Sequence, residues 1–373
     1  MINLNYKEEL KQVISEYFNY DKVKDVKVYG SGLINKTYIV IFEETSYILQ
    51  KVNDYVFSSP IGVMYNIDLV TNHIRKKVIY EGKNYRNSTL TLIKTINDKN
   101  FAIVNDEYWR CYTCIDGITF DKTDDLNIFY ETGKIIGEFQ HLLSDFNPSL
   151  LTDNIRDFHN TYLRYQNFEK SIKLDIVKRK NTCLDEIEFV RKRVNIANII
   201  SNALEEGIIP KRVVHNDTKL NNIMFNKNNR KAMCLIDLDT VMKGSILYDY
   251  GDALRLGASC SSEDEIDLNK VKINFDIVYA FTKGFLEATK NLITNSEIKL
   301  LITGYYTITY ELGMRFLTDY LDNDKYFTLT EKQKKSRPKL NLERARNQFK
   351  LVSEIEDNFE KLEDIVKQVT KEL

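Results

Sequence analysis

The sequence predicts an α+β protein with two lobes, a small β-rich N-terminal lobe over residues 1–115 and a larger, mostly helical lobe over residues 116–373. With 373 residues, the chain is longer than one ordinary hydrophobic core requires. Its apolar residues occur in short β-branched and aromatic runs before residue 115 and at helical spacing afterwards. Asp116 and Gly117 stand at this change, where we expect a hinge.

The N-terminal lobe is predicted to be mostly antiparallel sheet with added helices. Its predicted helices are Tyr6–Phe18 and Val63–Tyr80, and its predicted strands are Val26–Tyr29, Thr37–Phe42, Tyr47–Val52, Thr91–Thr95, Phe101–Val104 and Tyr108–Ile115. The second lobe is predicted to be helical with one β-rich interruption at Arg212–Asp239. Its predicted helices are Leu126–Leu143, Leu184–Leu204, Ile273–Asn291, Leu300–Leu321 and Leu342–Thr370.

The composition argues against several classes of protein. Basic and acidic residues balance to a formal net charge of -1, so the chain shows no basic footprint for nucleic acid. The N-terminal segment lacks the apolar core of a signal peptide, and no apolar run is long enough for a membrane span. Cys111 and Cys114 form a C-x-x-C pair, but no second pair or nearby histidine completes a zinc site. We therefore expect a cytoplasmic protein with reduced thiols and no nucleic-acid or membrane partner.

The strongest local signal is the pattern H-x-D-x-x-x-x-N at residues 215–222, between two apolar runs. Phosphoryl transfer asks the protein to position a hydroxyl and to neutralise phosphate charge, with little covalent chemistry. Asp217 is predicted to orient an acceptor hydroxyl and to accept its proton, and Asn222 to offer an amide oxygen to Mg²⁺. The alternative is a surface turn in which Asp and Asn have their usual turn roles.

A second acidic element follows, where the apolar strand of residues 234–236 ends in Asp237. A tight hairpin at Asn226–Lys231 is predicted to return Asp237 to the side of Asn222, where it would be the main carboxylate for Mg²⁺. Asp239 points to the same side two residues later and is expected to assist. The alternative is a strand end with solvated acids, which the order and spacing of the two motifs disfavour.

Two further residues are expected to support the loop. Asp249 opens a predicted helix, where it either caps free backbone amides or braces the catalytic loop from behind. Both roles can hold together. His215 belongs to the loop itself and is expected to support it structurally.

The N-terminal lobe is expected to cover the phosphates of a nucleotide. Gly30, Ser31 and Gly32 join two predicted strands; glycines let the backbone approach phosphate, and amides or Ser31 can donate to it. The pattern is not a dinucleotide fingerprint, because a strand follows it where that motif needs a helix. On the next strand, either Gln50 or Lys51 approaches the phosphates; they face opposite ways, and the sequence leaves the choice open.

A small β-rich lobe, a large helical lobe and these motifs together have the outline of a kinase. From Gly30 to about Phe359, the chain resembles the bacterial N-acetylhexosamine 1-kinases of the aminoglycoside phosphotransferase and choline kinase superfamily. The resemblance is carried by the segments HNDTKLNNIMF, IDLDTVMKGSILYDYGDALR, YILQKVNDYVF, GMRFLTDYLDNDKYF and NLERARNQFKLV. It implies a protein-kinase-like two-lobed fold, ATP with Mg²⁺, and phosphorylation of the anomeric hydroxyl of N-acetylglucosamine or N-acetylgalactosamine to the 1-phosphate.

The resemblance also assigns roles to single residues. It makes Asp217 the base, and Asn222 and Asp237 the metal ligands. It makes Arg315, in GMRFLTDY, a contact to sugar hydroxyls, whereas the residues alone favour a surface arginine on an apolar helix.

The chain departs from that family in its glycine loop. The family's loop reads GSGHIND, and here Leu33 and Lys36 replace the histidine and the acid, while Asn35 is retained as an expected sugar contact. Because neutral sugars are recognised through hydrogen bonds, the preferred sugar is expected to shift. The catalytic loop and the metal residues remain intact.

Three other functions stay open. The first is another small-molecule kinase, acting on an amine such as choline or an aminoglycoside, although Lys36 and Arg315 disfavour a cationic substrate. The second is a catalytically weak kinase fold that serves as a binding module, although Asp217, Asn222 and Asp237 are all present. The third is a metal-dependent hydrolase using the same carboxylates.

Overall fold

The computed structural model describes the backbone of residues 4–30, 35–54, 57 and 59–373, and the side chains from Glu8 onward within those ranges. A β-sheet N-terminal region precedes a mostly helical C-terminal region, which confirms the predicted α+β class. The helices are α1 (Leu4–Ser15), α2 (Pro60–Tyr80), α3 (Leu126–Leu142), α4 (Thr161–Leu174), α5 (Leu184–Lys192), α6 (Ile199–Glu205), α7 (Ile246–Gly257), α8 (Phe275–Thr289), α9 (Asn295–Lys299), α10 (Leu301–Leu321), α11 (Glu331–Ser336), α12 (Leu340–Asp357) and α13 (Phe359–Glu372). The strands are β1 (Asp25–Val28), β2 (Lys36–Ile41), β3 (Ser46–Lys51), β4 (Leu92–Ile93), β5 (Ala102–Val104), β6 (Glu107–Thr113), β7 (Arg212–Val214), β8 (Ile223–Phe225), β9 (Ala232–Leu235) and β10 (Met242–Gly244).

The chain forms two compact units that alternate along the sequence. Unit 1 comprises Met1–Thr119, Asp145–Arg156 and Met224–Met242, and unit 2 comprises Phe120–Ser144, Asp157–Ile223 and Lys243–Leu373. The predicted division had a single boundary after residue 115. The observed division differs from it, because the chain returns to unit 1 twice.

Unit 1 is built on an antiparallel sheet with strand order β1-β2-β3-β6-β4, and β5 pairs with β6. One face of the sheet is apolar: Leu49, Trp109 and Cys111 are buried there in one core with residues of α1. Because successive side chains on a strand alternate between faces, Gln50 and Arg110 lie on the opposite face. These two residues are direct partners across β3 and β6. The sheet thus presents a polar pair on the face away from α1.

Helix α2 holds the segment that follows the second acidic motif. Ser59 caps the helix by accepting a hydrogen bond from Gly62 N, and Pro60 occupies its first turn, where a missing N–H costs nothing. The side chain of Asn66 donates to the carbonyl oxygens of Thr152 at 2.8 Å and Val241 at 2.9 Å. The buried amide of Asn66 therefore fixes the backbone just beyond Asp239.

In unit 2, helices α7 and α10 cross at very close range. A Cβ atom on Gly251 would lie 2.6 Å from the carbonyl oxygen of Gly304, so only glycine permits this crossing. The contact sets the position of α7, which braces the catalytic loop, relative to α10, which carries Arg315. No helix in the described part of the chain is both long and apolar enough to cross a membrane.

The helical region differs from the prediction in several places, of which three concern its longer segments. Helix α4 lies outside every predicted helix, because it buries few apolar side chains; Asn160 caps its start by accepting from Leu163 N. The predicted helix Leu342–Thr370 is interrupted at Asn358, between α12 and α13. The predicted helix Leu184–Leu204 is likewise divided, by a 3₁₀ turn at Val194–Asn198.

Candidate active site

The catalytic-loop candidate follows β7 and ends in a 3₁₀ turn at Leu220–Asn222. Asn216 has φ of 65°, a left-handed conformation that asparagine adopts more readily than most residues. The turn brings Asp217 and Asn222 into contact: Nδ2 of Asn222 donates to the carbonyl oxygen of Asp217 at 3.0 Å and to its Oδ2 at 2.8 Å. The predicted base and the predicted amide ligand are therefore neighbours in unit 2.

The two carboxylate oxygens of Asp217 have different surroundings. Oδ2 accepts from Asn222 and also pairs with Nζ of Lys219 at 2.8 Å. Oδ1 accepts no hydrogen bond from any residue that the structure describes, and the side chain is 29% exposed. One oxygen is thus held in place, and the other is available to a ligand hydroxyl.

The amide of Asn222 suits a hard cation. Its Nδ2 serves Asp217, so its remaining polar atom is the carbonyl oxygen Oδ1, the kind of ligand that Mg²⁺ prefers. Among the side chains of the described ranges, no group of three His, Cys, Asp or Glu residues is arranged to hold a metal. A donor set of one carboxylate and one amide fits Mg²⁺, which usually keeps several waters and phosphate oxygens as ligands.

Two carboxylates of α7 hold the backbone of the loop. Asp249 accepts from the N–H of His215 at 2.9 Å and of Asn216 at 2.7 Å, and Asp252 accepts from the N–H of Thr218 at 3.0 Å. Hydrogen bonds to a charged group contribute about 1.5–3 kcal/mol each, so this brace is a strong one. One of the two predicted roles made Asp249 the cap of its own helix. Ser245 occupies the capping position instead, so Asp249 has only the bracing role.

Burial also changes the acidity of Asp249. Because the side chain is fully buried, its pKa rises to about 6, although His215 and the two backbone donors act in the opposite direction. Gln140 donates to the same carboxylate at 3.1 Å and to the carbonyl oxygen of Val213 at 2.9 Å. His215 is buried as well, and its Nδ1 accepts from the N–H of Asp217 at 3.3 Å.

In unit 1, the second acidic motif forms a sharp turn after β9. Asp237 has φ of 60° and ψ of 58°, and a 3₁₀ turn at Leu238–Thr240 follows it. Asp239 is buried, with Oδ2 accepting from Nδ2 of Asn35 at 2.7 Å and Oδ1 paired with Nη1 of Arg110 at 2.5 Å. Since both oxygens of Asp239 already have partners, these contacts do not support its expected part in metal binding.

The structure distinguishes Gln50 from Lys51 by the faces on which they lie. Gln50 Oε1 accepts from Nε and Nη2 of Arg110 at 3.1 and 2.9 Å, on the side of the acidic turn. Lys51 lies on the other face and pairs with Glu107. Burial lowers the pKa of Lys51. Of the two candidates, Gln50 is therefore the one directed toward Asp239.

The N-terminal loop is described only at its ends. Gly30 has φ of 75°, where a side chain would be strained, and a Cβ atom there would meet nothing within 4 Å. Ser31, Gly32 and Leu33 lie outside the described residues. Asn35 is 8% exposed; besides its bond to Asp239, it accepts from the N–H of Asn53 at 3.0 Å. The side chain expected to touch a sugar is thus engaged with the acidic turn.

Arg315, on α10, lies among aromatic rings of unit 2. Its guanidinium carbon is 5.4 Å from the ring centre of Phe158, 5.3 Å from that of Tyr326 and 5.7 Å from that of Phe327. The buried carboxylate of Asp319 accepts from the N–H of Tyr326 and of Phe327, each at 2.8 Å, which fixes the backbone that carries both rings. In the described ranges, Arg315 has no carboxylate partner within salt-bridge distance.

A second arginine and a buried acid lie near Arg315. The Nε atom of Arg164 is buried without a hydrogen-bond partner among the described residues. Burial lowers the pKa of Arg164, and the positive charge of Arg315 lowers it further. Glu311 is 2% exposed and accepts from Oγ1 of Thr161 at 2.5 Å. Its other oxygen lies 3.0 Å from Nδ1 of His159.

Arg315, Arg164 and Glu311, here called the arginine cluster, connect to the catalytic loop through α7. The ring of His159 lies 4.6 Å from that of Tyr248, centre to centre. Tyr248 directly precedes Asp249, which holds the loop backbone. The arginine cluster and the loop are therefore linked through two consecutive residues of one helix.

Several of these residues were not predicted from the sequence. Asp252 follows Asp249 at helical spacing, a signal that could have identified it as a second brace. Arg110 carries no such signal, because a lone charge inside the apolar run of β6 does not reveal its partner. Arg164 and Glu311 lie on helices with no motif of their own.

Comparison with known proteins identifies the family of the chain and its fold. The sequence profile of the phosphotransferase enzyme family matches residues 25–268, more than half of the chain. The chain is similar to a microcompartment-associated aminopropanol kinase, with a TM-score of 0.63 and 14% identity over 95% of this chain and 97% of that one. For choline kinase from Cryptosporidium parvum Iowa II, the TM-score is 0.59 and the identity 14%, over 95% and 97% of the two chains. For spectinomycin phosphotransferase in complex with ADP and spectinomycin, the corresponding values are 0.53, 12%, 93% and 94%.

At these identities, the likeness to solved structures shows the kinase-like fold alone. The family match covers the glycine loop, the catalytic-loop candidate, Asp237 and Asp249. The chain therefore belongs to the phosphotransferase enzyme family.

Proposed function

We propose that the protein is an ATP-dependent sugar kinase that phosphorylates the anomeric hydroxyl of N-acetylglucosamine or N-acetylgalactosamine. The observation that carries the kinase part is the arrangement of Asp217, whose Oδ2 is held by Asn222 and Lys219 while Oδ1 remains available. A carboxylate in this state can receive a hydroxyl in one orientation. The sugar part rests on the resemblance to the N-acetylhexosamine 1-kinases and on the surroundings of Arg315.

In the proposed mechanism, Oδ1 of Asp217 accepts a hydrogen bond from the acceptor hydroxyl and orients its oxygen. As the new oxygen–phosphorus bond forms, Oδ1 takes the hydroxyl proton, and the bond between the γ-phosphorus and the bridging oxygen of ATP breaks, releasing ADP. Lys219 stabilises the ionised carboxylate before transfer. The anomeric hydroxyl suits a carboxylate base, because it is more acidic than an ordinary sugar hydroxyl.

Asn222 and Asp237 would hold Mg²⁺, each through an oxygen atom. When bound, the cation neutralises charge on the phosphates of the nucleotide. Two observations support these roles. Asp237 stands at a left-handed turn, and Nδ2 of Asn222 already donates to Asp217, which leaves the amide oxygen of Asn222 for a cation. ATP as the donor is supported by the family match and by the solved neighbour that contains ADP. Gly30, Ser31 and Gly32 stay the proposed phosphate cover.

The surroundings of Arg315 favour a neutral acceptor over a cationic one. Enzymes that bind ammonium groups commonly place aromatic rings or carboxylates around them. Here the guanidinium of Arg315 already occupies the faces of Phe158, Tyr326 and Phe327. Arg164 adds a second positive charge nearby. A choline-like or aminoglycoside acceptor would meet repulsion there, whereas sugar hydroxyls can accept from both guanidinium groups.

The test is a panel of acceptors offered with ATP and Mg²⁺: hexosamines, their N-acetyl forms, unmodified hexoses, choline and kanamycin. We expect acceptor-dependent formation of ADP with the N-acetyl forms and little with choline or kanamycin. Preferential turnover of choline or kanamycin would contradict the acceptor assignment and leave the kinase assignment standing. Hydrolysis of a phosphorylated sugar without nucleotide would contradict both.

A further inference from the structure

A buried arginine, Arg110, lies at the centre of the polar network behind the acidic turn of unit 1. It is 1% exposed, and its Nη1 pairs with Oδ1 of Asp239 at 2.5 Å. Its Nε and Nη2 both bind Oε1 of Gln50, at 3.1 and 2.9 Å. Gln50 in turn donates to Oγ1 of Thr37 at 3.0 Å. The guanidinium is therefore held in one orientation by a chain of side chains across three strands.

The same carboxylate is fixed from a second direction. Asn35, at the start of β2, donates to Oδ2 of Asp239 at 2.7 Å, and its own oxygen accepts from the backbone of Asn53. Asn66 holds the carbonyl of Val241 two residues later. In the turn that begins at Asp237, both carboxylate oxygens of Asp239 thus have a partner, and Asn66 holds the backbone that follows.

The charge on Arg110 also acts on Asp237. For Arg110, burial would lower the guanidinium pKa, but the charge of Asp239, the nearby Tyr112 and, to a smaller extent, the charge of Asp237 hold it above its ordinary value. Lys36 and Lys51, which pair across β2 and β3, lie on the opposite face of the sheet from Gln50. On the face that carries Gln50, Arg110 pairs with the acidic turn through Asp239.

We propose that Arg110 is a positioning residue for the metal-binding carboxylate: through Asp239, it fixes the turn that aims Asp237. The inference rests on the proposed function, because it assumes that Asp237 binds Mg²⁺ with the nucleotide. Asp237 has a left-handed backbone with φ of 60°, and such a conformation persists only where its surroundings determine it. The buried ion pair between Arg110 and Asp239 supplies that constraint.

A purely stabilising role gives a different expectation. Replacing a buried ion pair by apolar or neutral groups is often neutral or stabilising, whereas removing one partner leaves an uncompensated charge. A pair kept only for stability can therefore be replaced on both sides without loss of function. A pair that aims Asp237 cannot, because residues behind a metal ligand typically change metal affinity about 10–100-fold when mutated.

The test compares Arg110→Met, Asp239→Asn and the double variant by thermal unfolding and by calorimetric titration with Mg²⁺ and a non-hydrolysable ATP analogue. Lys77→Met, which breaks the pair with Asp145 elsewhere in unit 1, is the matched control. We expect Arg110→Met to lower the melting temperature and the double variant to recover most of that loss. In the double variant, affinity for the magnesium–nucleotide complex should nevertheless stay about tenfold or more below wild type. Lys77→Met should bind like wild type.

Gln50→Leu provides a milder variant if Arg110→Met fails to fold. It keeps the ion pair and removes the second partner of the guanidinium, so we expect a near-normal melting temperature and a severalfold weaker complex. Wild-type affinity in the double variant or in Gln50→Leu would overturn the inference and leave the proposed function intact. A wild-type protein that binds no nucleotide with Mg²⁺ would overturn both.

Discussion

Nδ2 of Asn222 donates a hydrogen bond of 2.8 Å to Oδ2 of Asp217. This contact joins the proposed base to a proposed metal ligand within one turn of the chain. Because one amide serves both roles, a change in Asn222 is expected to affect hydroxyl orientation as well as metal affinity. The two residues should therefore behave as one unit in kinetic measurements, with strongly non-additive effects.

Asp217→Asn is expected to fold normally and to lose nearly all turnover. The amide cannot take the proton of the acceptor, and loss of a general base costs about 10²–10⁴-fold in rate. Steady-state assays with thermal unfolding measure both effects. Asp121→Asn, an exposed acid that contacts Asn221, is the control and should retain wild-type rates. Turnover of Asp217→Asn within a few-fold of wild type would remove Asp217 from the role of base.

Asp237→Asn is expected to abolish magnesium-dependent nucleotide binding with little change in melting temperature. Asparagine is chosen over alanine because it tolerates the left-handed backbone at this position. Calorimetric titration with ATP analogue and Mg²⁺ measures the affinity, and Asp116→Asn, a surface acid paired with Lys227, is the matched control. Unaltered affinity in Asp237→Asn would make this carboxylate structural.

Asp249→Asn is expected to change how stability depends on pH. The folded pKa of Asp249 is about 6 and its ordinary value is 3.8, so the folded state binds the proton more tightly. The contribution of this group to stability is therefore present below the ordinary value and is lost as the pH rises through about 6.

Thermal unfolding between about pH 4 and pH 7 should thus show wild type losing stability relative to Asp249→Asn as the pH rises. The variant should also turn over slowly at every pH, because its amide cannot accept from all the donors around it. Parallel melting curves across this range would show that Asp249 does not titrate there.

Arg315→Met is expected to raise the KM for the acceptor at least tenfold while leaving the KM for ATP within about twofold, since each lost charged hydrogen bond contributes about 1.5–3 kcal/mol. Arg344→Met is the control: Arg344 also lies over an aromatic ring, that of Phe316, but it has a carboxylate partner in Asp264. Equal acceptor KM values for wild type and Arg315→Met would exclude Arg315 from the acceptor site.

The sequence predicted those parts of the molecule that short patterns encode. Alternating runs identified the strands of the N-terminal sheet, and the spacing of Asp217 and Asn222 predicted a loop in which the structure brings both side chains together. The hairpin before Asp237 was also expected, and β8 and β9 form it. These features depend on local periodicity and turn residues, which a single sequence contains.

The partners of these residues could not be predicted, because they come from distant parts of the chain. Arg110 meets Gln50 only because β3 and β6 are neighbours in the sheet, and its pairing with Asp239 joins two distant parts of the chain. The choice between Gln50 and Lys51 depended on strand register, and a shift of one residue would have exchanged their faces. Helix α4 was missed because Phe168 and Ile172 are its only apolar residues among the four that it buries, which is too few for an apolar stripe.

The most direct test of the account is phosphorus NMR of the product formed from N-acetylglucosamine or N-acetylgalactosamine with ATP and Mg²⁺, with Asp217→Asn as the control. We predict a sugar 1-phosphate, formed by the wild-type protein and not by Asp217→Asn, because Oδ1 of Asp217 is the oxygen available to receive the anomeric hydroxyl. A 6-phosphate would contradict the anomeric assignment. No phosphorylated sugar, together with transfer to choline or kanamycin, would contradict the sugar kinase assignment itself.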